Sequence, residues 1–169
     1  MFEKGEKVYY GTAGVCKVND ICRSPFDPND ERTFYVLEPS DFNAGTIIYA
    51  PADNETVILR PLMTVDEANA LIANVGSLPT VEIANEKQRR DEYRNAIRNG
   101  TPVSIASVLK TIYLRKSKRN TQKKRMSDTD IEFEKLARRA LFTELAIVLD
   151  VTADEAEKRM DEAMKKISI

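Results

Sequence analysis

The sequence predicts an α+β protein: a small SH3-like β-barrel, followed by an all-α helical domain. Two observations set that division. Up to Arg60, short runs of β-favouring residues are broken by turn residues about every eight to twelve positions, the rhythm of a small barrel. Past Pro61 the apolar residues recur at helical spacing and helix caps begin. Charge is a third observation, because a net charge of −1 conceals three blocks of different sign. Residues 1–62 carry 6 basic and 10 acidic side chains, residues 86–125 carry 13 and 3, and residues 126–169 carry 7 and 11. A surplus of that size in the second block is on the scale of a nucleic-acid-binding module.

The barrel opens with a hairpin. Gly5 starts a turn, Lys7 to Tyr10 form a first strand, Gly11 to Gly14 a glycine-framed turn, and Val15 to Val18 the return strand. Ser24-Pro25-Phe26-Asp27-Pro28-Asn29-Asp30 is a turn-rich insert. Thr33-Phe34-Tyr35-Val36-Leu37 is dense in β-formers and stops at Pro39. A turn at Asn43-Ala44-Gly45 leads to a strand over Thr46–Pro51, and Val57–Arg60 closes the set before Pro61.

In the second part, Thr64-Val65-Asp66-Glu67 is a capping box, with Ala68, Leu71, Ile72 and Val75 facing inward and Gly76 as the stop. A second helix is predicted from near Thr80 or Asn85 to Arg98, ending at Asn99-Gly100. Thr101-Pro102 caps a third, with Ile105, Leu109 and Ile112 inward. Arg115 to Arg125 reads as a basic tail and connector. A fourth helix starts at Ser127 or Asp128 and buries Phe133, Leu136, Ala140, Leu141, Leu145 and Val148. Thr152 to Glu155 opens a fifth, with Ala156, Met160 and Ala163 inward. The division is set at 1–62 and 63–169.

Composition argues against catalysis. The chain has no histidine, the commonest general base and metal ligand, and no Walker loop, GxGxxG, GxSxG or HExxH. Cys16 and Cys22 lack metal or redox spacing and are expected to be free, buried small hydrophobes. No catalytic residue, metal site or cofactor is expected. No apolar run reaches the roughly 20 residues that span a bilayer, and the start lacks a signal peptide's pattern, so a cytoplasmic location is expected.

The basic block supplies the candidate DNA contacts. Arg90, Arg94 and Arg98 stand at i, i+4 and i+8, along one helix face, with Arg89 beside them. Arginines so spaced reach successive phosphates. The competing reading is a solvated face paired with Glu86, Asp91 and Glu92. Lys116-Ser117-Lys118-Arg119 and the cluster Lys123, Lys124 and Arg125 add a stretch without acids before Asp128.

Gly5-Glu6-Lys7-Val8-Tyr9-Tyr10 with Gly14-Val15, Phe34-Tyr35-Val36-Leu37, Tyr49-Ala50-Pro51-Ala52-Asp53-Asn54 and Leu59-Arg60-Pro61 resemble, in order and spacing, the CarD family of bacterial transcription regulators. Their first module also occurs in transcription-repair coupling factors. Arg98-Asn99-Gly100, Val108 to Arg115 and Phe142-Thr143-Glu144-Leu145-Ala146 look like the family's helical domain. The resemblance implies a Tudor-like domain (1–62) that docks on the β subunit of RNA polymerase and a helical DNA-binding domain (63–169) set against promoter DNA. The expected effect is a change in open-complex stability without long sequence readout, by a nucleoid-associated protein. It also places the strands of Tyr35 and Tyr49 near the polymerase-binding edge, where the rings either meet the partner or fill the core; Arg23 and Arg32, which flank the turn-rich insert, either pair with acids on polymerase or are surface charges without measurable effect. The chain departs from the family in two places. It has no tryptophan for the minor-groove wedge, whose position falls near Ile83 to Glu86 and leaves Ile83 as an apolar substitute. Ile131, among acids, stands where some members carry a DNA-facing lysine. The alternatives are a nucleoid-type DNA-binding protein and an interaction adaptor with a basic docking face.

Overall fold

A computed structural model describes residues 1–40 and 45–167. They form two compact units, Met1–Leu62 and Met63–Ile169. The first holds strands β1 (Lys7–Tyr10), β2 (Gly14–Arg23), β3 (Thr33–Pro39), β4 (Ile48–Pro51) and β5 (Leu59–Pro61). They make one antiparallel sheet in the order β4-β3-β2-β1-β5. Residues 43 and 44 of the expected Asn43-Ala44-Gly45 turn lie outside the described residues.

A single 3-10 turn, Gly11–Ala13, joins β1 to β2. Gly11 and Gly14 sit at φ 44° and 74°, where a Cβ crowds the backbone. β2 runs five residues past the expected Val18, its Asp20–Arg23 pairing with Thr33–Val36 of β3 beyond a bulge at Asn19. The bulge moves the register on, so that Ile21 faces Tyr35 and Cys22 faces Phe34. Asn19 Nδ2 donates to Glu38 Oε2 at 2.8 Å across it. One face of the sheet buries Val8, Cys16, Val18, Tyr35, Leu37 and Ala50. No disulfide joins Cys16, which is buried, to Cys22, which is half-buried.

The second unit contains α1 (Val65–Ala73), α2 (Arg89–Asn99), α3 (Pro102–Thr121), α4 (Asp128–Leu149) and α5 (Ala153–Met164), with short 3-10 turns at Val75–Ser77 and Glu86–Gln88. The helix starts follow local chemistry. Thr64 and Glu67 make the reciprocal capping box, and the side chains of Thr101, Ser127 and Thr152 each accept the N–H of the third helical residue. Gly100 ends α2 in the left-handed conformation.

Three expectations are corrected. Arg115 to Thr121 is no connector but the last two turns of α3. Lysine and arginine are good helix formers, so a polar stretch after an apolar one does not break a helix. The inward stripe of α4 is also displaced: Leu136 is exposed, Ala140 and Val148 are half-buried, and Ala137, Phe142 and Glu144 are buried with Phe133, Leu141 and Leu145. In α5, Met164 is buried and Ala163 is not. The core is organised around α3, which buries eight consecutive residues, Ile105–Ile112, because α2, α4 and the 3-10 turn at Val75–Ser77 pack against it. Glu144 is completely buried and accepts the Met63 N–H at 2.8 Å.

Candidate functional site

The surface of the β unit is organised by the insert between β2 and β3. Ser24 Oγ accepts the N–H of Phe26 and Asp27 at 3.3 and 3.4 Å, and Asp27 Oδ1 accepts the Asn29 N–H at 2.9 Å. These turns hold Phe26 out from the sheet, 72% exposed. Its ring meets Tyr49 edge-on at 5.5 Å and Phe34 at 6.0 Å, covering Phe34 while leaving Tyr49 39% exposed. Tyr49 stands on β4, which ends the sheet, and no described strand pairs with its outer edge. Ile47, also exposed, precedes it.

Arg23 and Arg32 flank the same insert. Arg32 pairs with Asp30 through both Nε and Nη2, at 2.9 and 2.7 Å, and lies over the Phe34 ring at 5.6 Å. Those hydrogen bonds hold the Asp30 carboxyl down to about 2. Arg23 is exposed and makes no ion pair among the described residues. Tyr35 differs from its neighbours: it is 3% exposed, with its hydroxyl accepting the Phe2 N–H at 3.1 Å and the Phe2 ring edge-on against it. Of the two roles open to it, Tyr35 fills the core. The β2–β3 pleat decides this, since its register partner Ile21 faces the same way. The structure thus brings Arg32 and Tyr49 to one face of the sheet around Phe34, together with Phe26, whose place in a polar turn segment gave the sequence reading no signal beyond an unexplained aromatic, while Arg23, registered with Thr33, falls on the face of Ile21 and Tyr35.

In the helical unit the basic residues divide into buried and exposed ones. Arg89 is only 9% exposed. Its guanidinium bonds Glu86 through Nη1 and Ser127 Oγ through Nη2 at 2.9 Å, and its Nε lies 3.5 Å from Asp130. Asp130, 1% exposed, also accepts from Tyr93 Oη at 3.0 Å and from Arg115 Nε at 3.4 Å. Arg115 grips both oxygens of Glu86 at 3.2 Å. The Arg115 hydrogen bonds hold the Glu86 carboxyl below its ordinary range. Burial, reinforced by the Asp130 carboxylate, pushes the Tyr93 hydroxyl well above its own. The expectation that Arg89 stands with its neighbours on a phosphate-facing surface is therefore corrected: burying Tyr93 and Asp130 requires a cation among them.

Arg90, Arg94 and Arg98 are exposed along α2. Arg90 pairs with Glu132 at 2.7 Å and Arg94 with Asp91 at 3.1 Å, while Arg98 has no ion pair among the described residues. Lys123 and Lys124 are exposed and likewise unpaired among the described residues, and Arg125 lies 3.6 Å from Asp128. Ile83 is half-buried in a segment, residues 78–85, without helix or strand. That segment is strapped to α3: Lys110 Nζ donates to the carbonyls of Gly76 and Leu78 at 2.7 and 2.5 Å, and the Val81 N–H donates to Thr111 Oγ1 at 2.8 Å. Ile131 is 45% exposed in the first turn of α4.

No group of His, Cys, Asp and Glu among the described residues is arranged to hold a metal ion. No described helix is long and apolar enough to cross a membrane. A search of curated proteins finds no match to the chain. Two family profiles do match: the CarD-like/TRCF RID domain over residues 2–63 and the CarD C-terminal domain over residues 72–161. The first coincides with the Tudor-like β unit and the second covers most of the helical unit. In that order they identify the chain as a member of the CarD-like family, an RNA-polymerase-interacting transcription regulator.

Proposed function

We propose that the β unit docks on the β subunit of bacterial RNA polymerase through the outer edge of β4, and that the helical unit lies on promoter DNA. Holding both partners at once lengthens the life of the open complex. The protein acts without catalysis, in the cytoplasm, on the nucleoid. The observation that carries this reading is the pairing of a strand edge without a partner among the described residues with an exposed aromatic patch, Phe26 and Tyr49 beside Ile47. Main-chain hydrogen bonds along such an edge supply affinity, and rings beside it supply anchors. Arg23 and Arg32 at the rim favour an acidic partner and speed encounter.

The DNA contact is supported by Arg94 and Arg98 on α2 and by Lys123, Lys124 and Arg125 after α3, with Arg90 available once it leaves Glu132. Such contacts position a protein on the phosphate backbone and read no base sequence. Modest affinity suffices, because the polymerase contact raises the effective concentration of DNA. Ile83, on a segment strapped to α3 through Leu78 and Val81, suits an apolar wedge at the upstream fork. The test is capture of core polymerase by the immobilised full chain. The double variant Phe26→Ala/Tyr49→Ala loses β-subunit capture by about tenfold or more, with its circular dichroism unchanged. Capture at the wild-type level would overturn the docking surface.

A further inference from the structure

The polar stretch at the end of α3 closes on itself. The chain leaves the helix through Lys123 at φ 54°, with the Lys124 N–H donating to the Arg119 carbonyl at 2.8 Å and the Lys123 N–H to the Asn120 carbonyl at 3.1 Å. This is a Schellman stop with lysine in the left-handed position. It folds Lys124 back over the last turns, and Arg119 Nη1 fixes the fold by donating to the Arg125 carbonyl at 2.8 Å. A cleft of about 240 Å³ results, lined by Glu86, Arg115, Lys118, Arg119, Gln122 and Lys124.

Four cations thus surround one acid. A helix C-terminus favours cations, which accounts for Lys118 and Arg119 on the last turns. It does not account for Arg115, two turns back, or for Lys124, which the Schellman stop brings in from beyond the helix. Lys118 and Lys124 make no ion pair among the described residues. Glu86 is the one anion lining the cleft: it accepts from Arg115 and Arg89, yet its side chain remains 63% exposed. It stands at the point where an incoming anion would meet Arg115.

The geometry points to a phosphate-recognition cleft in which Glu86 is the resident competitor. The ligand class is a phosphate-bearing polyanion, held by Arg115, Lys118, Arg119 and Lys124 once Glu86 yields Arg115 to it. The phosphate comes from a DNA backbone or from a free polyphosphate. The first source rests on the DNA contact proposed above; the second does not. Glu86 would then tie anion binding to the segment that carries Ile83, because it sits three residues beyond it and releases its hold on α3 when displaced.

The experiment uses the full chain, a fluorescein-labelled DNA duplex followed by anisotropy over a salt series, and inorganic tripolyphosphate followed by calorimetry. Glu86→Gln should tighten duplex binding about fivefold, the effect of removing one unit charge about 4 Å from a phosphate in water. It should also steepen the log–log salt slope by about 0.9, the increment for neutralising one more phosphate. Lys118→Ala/Lys124→Ala, whose side chains lie outside the buried network, should weaken the same ligand without changing the melting temperature. Tripolyphosphate that binds and displaces the duplex places both in one cleft, and tripolyphosphate that binds while the duplex does not makes free polyphosphate the source and removes the DNA reading. Duplex and tripolyphosphate binding both unmoved by Glu86→Gln and by the lysine pair would overturn the cleft and leave the DNA contact elsewhere standing. Binding of neither ligand would overturn both.

Discussion

At the scale of single residues, the centre of the helical unit is held by a charged group that periodicity does not reveal. Asp130 is one residue before the exposed Ile131 and reads as an ordinary first-turn acid. In the fold it is buried beneath Tyr93, Arg89 and Arg115. Removing one partner of such a cluster leaves an uncompensated buried charge, so Asp130→Ala should cost about 3–5 kcal/mol in urea unfolding. A loss comparable with an exposed surface substitution would contradict the burial. Tyr93 gives a pH dependence. The folded state holds its proton to higher pH than the unfolded chain, so the stabilisation it carries is complete below about pH 10, the ordinary phenol value, and is lost as pH rises towards the raised one. Tyr93→Phe should flatten that alkaline fall in the urea midpoint; an unchanged slope would assign it to another group. The sequence made Arg89 visible as a charge, but not its partner, because the pairing with Asp130 depends on how α2 packs against α4.

At the scale of elements, the starts and stops were the legible part. Thr64, Thr101, Ser127, Thr152 and Gly100 act within one turn of themselves, and so each is recognisable from its own neighbours. The end of α3 was not, because no glycine or proline marks it and a lysine takes the left-handed position instead. Lys123→Gly should accordingly stabilise the helical unit by up to about 1 kcal/mol, since glycine adopts that conformation without crowding. A fall in thermal midpoint would show that the Lys123 side chain contributes more than its backbone costs. In the β unit, the bulge at Asn19 escaped prediction for a related reason: an added residue changes the register without changing the β-forming composition. Gly11→Ala tests the turn that sets the hairpin. At φ 44° a Cβ there would come within 2.5 Å of Val57 Cγ1, so the change should destabilise the unit by about 1–2 kcal/mol or more. A neutral result would mean that the Val57 side chain gives way and the backbone relaxes.

At the scale of the whole molecule, the charge blocks and the change of period near residue 62 carried most of the functional reading. The chain passes from one compact unit to the other at Leu62–Met63, and each unit matches its own family profile. What the sequence did not separate was the work of its arginines. Arg89 and Arg115 belong to the interior network, Arg94 and Arg98 to the surface, and only tertiary packing assigns them. The direct test of the central claim is the lifetime of an open promoter complex after a competitor is added, with and without the full chain. The account predicts a longer lifetime with the wild-type chain, a loss of the effect in Phe26→Ala/Tyr49→Ala through polymerase binding, and a loss in Arg94→Glu/Arg98→Glu with polymerase binding intact. A lifetime that the wild-type chain leaves unchanged, while it remains bound to polymerase, would contradict it.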